Sequence, residues 1–153
     1  MPKETVKDLL KFLKPFPKQV RETALGLREF AWDLYPDCNE LIYDNYNAVA
    51  FGWSISDKLG DTFCSIAVAR TSHNVHFGFY WGSKIADPEK KLIGEGNQYR
   101  YILVPDIKKF PKTYIKKLLK EAYAWSLAKM KPGKLVKGTT IVKSVSAKKR
   151  GAK

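Results

Sequence analysis

The chain has 153 residues, 44% of them apolar and 13% aromatic, enough to fill the core of one domain. No apolar run approaches the roughly 18 residues that span a bilayer, and the opening Met1-Pro2-Lys3-Glu4-Thr5-Val6-Lys7-Asp8 lacks the apolar stretch of a secretory signal. A cytoplasmic protein with no membrane partner is therefore expected. The formal charge of +13 is uneven, at +4 over residues 1–21, −6 over 22–61, +6 over 62–128 and +9 over 129–153, so any partner must suit an acidic stretch as well as a basic end.

Val6, Leu9, Leu10 and Leu13 fall at helical spacing over residues 4–13, and Pro15-Phe16-Pro17 stops the pattern. Val20, Ala24, Leu27, Ala31 and Leu34 then predict an amphipathic helix over 17–35, closed by Pro36. From Glu40 the period shortens to two, and β-branched and aromatic residues dominate. Val49, Phe51, Trp53 and Ile55 mark a strand, the stretch from Asp57 to Asp61 a hairpin turn, and Cys64, Ile66 and Val68 the returning strand. A second turn at Thr71-Ser72-His73-Asn74 leads to Val75, Phe77, Phe79 and Trp81 as the aromatic face of a third long strand.

Residues 82–97 carry Gly82, Pro88, Gly94 and Gly96 and predict a loop with one helical turn near Pro88. A last strand follows at 99–104. Ile115, Leu118, Leu119, Ala122 and Trp125 then give a closing helix over 111–129. The expected fold class is α+β, an antiparallel β-meander of about five strands packed against N- and C-terminal helices. It forms one domain over residues 1–130, followed by a basic, flexible tail over 131–153. Within the tail, Thr139-Thr140-Ile141-Val142 is a candidate edge strand, and residues 144–153 are expected to be mobile.

Tyr35-Pro36-Asp37 after the long helix, Tyr43-Asp44-Asn45-Tyr46-Asn47, the aromatic meander, Gly94-Glu95-Gly96 before Tyr99-Arg100-Tyr101-Ile102, and a final Leu-Leu-Lys-Glu-Ala-Tyr helix resemble the YdhG-like family over roughly residues 12–128. That family is mostly of unknown function. The resemblance implies a compact α+β domain likened to frataxin, and, since some members are described as iron chaperones, iron as cargo and an iron-recipient protein as partner. Its motifs are structural and carry fold better than function.

No catalytic constellation is visible, so a binding protein rather than an enzyme is expected. No serine sits in a nucleophile elbow, and no glycine-rich loop opens a helix with a lysine. Cys38 and Cys64 lack metal-knuckle spacing and are expected to be reduced structural thiols. His73 and His76 have the interval of a ligand pair, but at a turn and strand start, without the helical face that makes that interval useful.

Three candidate sites remain. The carboxylates Asp33, Asp37, Glu40 and Asp44 offer oxygen ligands to a hard cation such as iron, or serve only solubility. Tyr43, Trp53, Tyr80, Trp81 and Tyr101, with Tyr99 as the alternative to Tyr101, would form a ligand-binding aromatic sheet face able to stack a flat molecule, unless they are core. The basic end, with Lys131, Lys134, Lys137, Lys148, Lys149 and Arg150, would neutralise nucleic-acid phosphates in a ribosome-associated or similar accessory role, or merely solubilise. No aromatic residue is interleaved there for base stacking.

Overall fold

Two of the expected helices open the chain in the computed structural model, which describes residues 6–94, 99–129 and 138–150. Helix α1, Val6–Leu13, buries Leu9 and Leu13 completely and ends where prolines remove the next backbone donors. Helix α2, Lys18–Leu34, turns Ala24, Leu27, Phe30 and Ala31 inward. The meander follows as β1 Asn39–Asp44, β2 Ala48–Ser54, β3 Thr62–Ala69, β4 Val75–Tyr80 and β5 Tyr99–Leu103. Helix α3, Lys112–Lys129, closes the layer by burying Ile115, Leu118, Leu119 and Ala122. Among the described residues no helix is long and apolar enough to cross a membrane.

The expected sheet gains one strand and loses its purely antiparallel character. Strand β6, Thr140–Val145, pairs parallel with β1, giving six strands in the order β5-β4-β3-β2-β1-β6. Residues 138–150 thus differ from the expected mobile tail. Ser144 and Val145 belong to β6, Ser146 N–H donates to the Asp44 carbonyl at 2.8 Å, and Arg150 N–H donates to the Tyr46 carbonyl at 2.8 Å. β-Branched Thr140, Ile141 and Val142 suit this pairing, but nothing local in them sets the parallel direction.

Register determines which side chains meet. Trp53 lies opposite Cys64 and Cys64 opposite Phe79, while Phe51, Ile66 and Phe77 form the next row. These rows face α2 and α3, where Trp32 meets Trp53 edge-on at 6.0 Å and Phe30 meets Phe77 at 6.1 Å. Alternation sends the intervening residues to the opposite face. There Leu41, Gly52, Ser65, Gly78 and Tyr101 stand in register across five strands.

Beyond β4 the chain leaves the sheet at Trp81, which takes the left-handed conformation at φ 61° and starts a 3-10 turn at Gly82–Lys84. The turn expected near Pro88 is a single hydrogen-bonded turn, Lys90 N–H donating to the Asp87 carbonyl at 2.9 Å, and the Asp87 carboxylate accepts from the Lys91 and Leu92 backbone and from the Tyr114 hydroxyl.

Candidate functional site

The row Gly52-Ser65-Gly78 forms a floor without bulky side chains on the face opposite α2 and α3, helix-free among the described residues. A Cβ at Gly52 would stand 3.0 Å from Thr62 Cγ2 and 3.2 Å from Ser65 Cβ. A Cβ at Gly78 would stand 2.2 Å from the Tyr99 hydroxyl, so the absence of a side chain lets the Tyr99 ring lie over the strand. Tyr99 packs against Tyr80 at 5.6 Å between centroids and stacks on Tyr101 at 5.7 Å, and Tyr101 stacks on His76 at 4.3 Å with planes 7° apart. Each of these rings, and that of Tyr43, is half-buried.

Among the described residues the hydroxyls of Tyr43 and Thr62 are buried without a hydrogen-bond partner, and the buried hydroxyl of Tyr99 has only the nearby Ser65 hydroxyl. Native proteins leave few such groups unsatisfied, because each forfeits its hydration without replacement. Burial pushes the Tyr99 phenol up to about 12, and it raises the Tyr80 phenol as well, in both cases opposed by the approach of Ser65. Burial also raises the Tyr43 phenol, with Tyr80 beside it adding to the effect. All three therefore stay protonated near neutrality, able to donate to an acceptor. Burial holds the His76 imidazole below its usual pKa, favouring the neutral ring.

The aromatic residues singled out in the sequence are thus divided. Tyr43, Tyr80 and Tyr101 come together on the helix-free face. Trp53 does not join them: it is fully buried on the helix side, because its register places it with Phe51 and Val49. Trp81 lies past the end of β4. The floor of Gly52, Ser65 and Gly78, together with Thr62, was missed. The available signal was small residues at matching positions of three consecutive strands, visible once both hairpin registers are assigned.

The acidic series is also divided. Asp33 and Asp37 are exposed, whereas Glu40 and Asp44 are buried and engaged by cations. Glu40 accepts two bonds from Arg28 at 2.7 Å each and one from the Thr140 hydroxyl at 2.9 Å. Asp44 pairs with Arg70, and with Lys149 at 2.9 Å. Among the described residues no three His, Cys, Asp or Glu side chains gather as a metal site. The histidines diverge, His73 meeting the edge of Phe16 at 5.6 Å while His76 stacks on Tyr101. Cys38 and Cys64 are buried free thiols, and burial, reinforced by Asp37, pushes the Cys38 thiol up to about 12.

Of the basic set, Lys131, Lys134 and Lys137 lie outside the described residues. Lys148 is exposed, Lys149 is held by Asp44, and Arg150 donates to the Asn47 side chain at 3.3 Å. No family model, no curated protein and no solved structure matches the chain.

Proposed function

We propose that this chain is a non-enzymatic, YdhG-like binding domain whose ligand is a small flat molecule carrying a hydrogen-bond acceptor, held on the helix-free face of the sheet. The observation that supports this most is the group of buried hydroxyls of Tyr43, Tyr99 and Thr62, short of hydrogen-bond partners among the described residues, around a Gly52-Ser65-Gly78 floor. An acceptor placed there would satisfy donors short of partners among the described residues, while Tyr80, Tyr99 and Tyr101 border it with a packed row of aromatic rings.

An iron-chaperone role through Asp33, Asp37, Glu40 and Asp44 has less support, because Arg28, Arg70 and Lys149 already neutralise the two buried carboxylates. A nucleic-acid role through the basic end has less support, because Asp44 already neutralises Lys149.

Native mass spectrometry of gently purified protein tests the proposal. Wild type should retain a small molecule that Ser65→Leu, which fills the floor, does not. The same bound mass on both proteins would refute the assignment.

A further inference from the structure

On the opposite side of the molecule, the C-terminal end of α2 and one face of α3 enclose a recess of about 340 Å³ lined by Leu34, Tyr35, Lys116, Lys120 and Tyr123. Its inner wall is aromatic. Tyr35 and Tyr123 lie 4.9 Å apart with planes 31° from parallel, and the buried Phe63 meets both edge-on, at 5.0 and 5.3 Å, which fixes their orientation.

The outer wall is cationic. Lys116 and Lys120 are one helical turn apart, about 6 Å of axial rise, on one face of α3. Both are exposed, and neither forms an ion pair among the described residues. Burial raises the Tyr123 phenol, Cys38 and Asp37 adding to the effect, so the acidic Asp37 lies on the tyrosine side. The recess is therefore polarised, and an anionic group is favoured at the lysines and disfavoured at the tyrosines. It adjoins a second cleft of about 420 Å³ that shares Leu34 and Lys116 and adds Glu29, Asp33 and Lys112. The two carboxylates outnumber the one lysine that this cleft adds, so a compact anion at Lys116 and Lys120 is favoured over a long polyanion along the groove.

We propose that this recess binds a small aromatic phosphate, its ring against Tyr35 and Tyr123 and its phosphate between Lys116 and Lys120. A nucleoside monophosphate and free phosphotyrosine share this chemistry. Calorimetric titration of the full chain with adenosine monophosphate, O-phosphotyrosine and inorganic phosphate, at two salt concentrations, tests it.

At least one aromatic phosphate should bind roughly tenfold more tightly than inorganic phosphate, and more weakly at higher salt. The stronger of the two identifies the source. Lys116→Ala/Lys120→Ala changes only exposed side chains and should cost roughly tenfold or more. Tyr123→Leu should reduce affinity for the aromatic compounds while leaving inorganic phosphate unchanged, and Ser65→Leu should change nothing. No binding of either aromatic phosphate, binding unaffected by loss of both lysines, or equal affinity for inorganic phosphate would each overturn the proposal.

Discussion

Arg28 on α2 and Glu40 on β1 form a bidentate ion pair, Nε to Oε2 and Nη2 to Oε1 both at 2.7 Å, with side chains only 4% and 0% exposed. The Thr140 hydroxyl of β6 donates to the same carboxylate at 2.9 Å. One acidic side chain thereby ties the helical layer, the sheet and the C-terminal strand together. Arg28→Ala strands the Glu40 charge in the interior and should destabilise the fold by about 3–5 kcal/mol in urea unfolding. The double replacement Arg28→Met/Glu40→Leu should recover most of that loss, because an apolar pair has no charge to desolvate.

Thr140→Val keeps the shape of the side chain and removes the hydroxyl that reaches Glu40. It should cost about 1 kcal/mol, measured in the same unfolding experiment. The loss should be smaller when the replacement is made in the Arg28→Met/Glu40→Leu background, since the acceptor is then absent.

Gly78 and Tyr99 are coupled through space rather than sequence. A methyl at residue 78 would fall 2.2 Å from the Tyr99 hydroxyl, so Gly78→Ala must displace the ring and should cost about 1–3 kcal/mol by overpacking. In the double variant Gly78→Ala/Tyr99→Ala the clash is gone. A thermodynamic cycle should therefore show the two changes to be less than additive.

His76 predicts a pH dependence of stability. Burial lowers its pKa in the native state, so the unfolded chain takes up the proton more readily. The contribution of neutral His76 is complete above the ordinary imidazole pKa of about 6.5 and is lost as pH falls through the lowered native value. His76→Phe preserves an aromatic ring beside Tyr101 without a titrating group. Urea midpoints measured from pH 7.5 to 5 should fall less steeply for the variant than for wild type.

The helices and the meander are legible in the sequence because their signals are local. Leu9 and Leu13 share a helical face, and Val49, Phe51 and Trp53 share a strand face. Strand β6 was legible only as a candidate, since its parallel partner β1 lies about a hundred residues away and no local pattern specifies that pairing. The acidic residues show a similar limit. Spacing places Glu40 and Asp44 near Asp33 and Asp37, yet only the fold brings Arg28, Arg70 and Lys149 onto two of them. In the tyrosine face, the rings of Tyr43, Tyr80 and Tyr101 were visible in the sequence. The glycines that let them approach the sheet gain meaning only from cross-strand register.

Nuclear magnetic resonance of protein with ¹³C-labelled tyrosine rings, titrated with a panel of planar heteroaromatic carbonyl compounds, tests whether the helix-free face holds a ligand. At least one compound should shift the rings of Tyr43, Tyr80, Tyr99 and Tyr101, leave Tyr35, Tyr114 and Tyr123 in place, and lose its effect in Ser65→Leu. If every compound leaves those four rings unmoved, or shifts them equally in Ser65→Leu, the helix-free face is packing alone and the account is wrong.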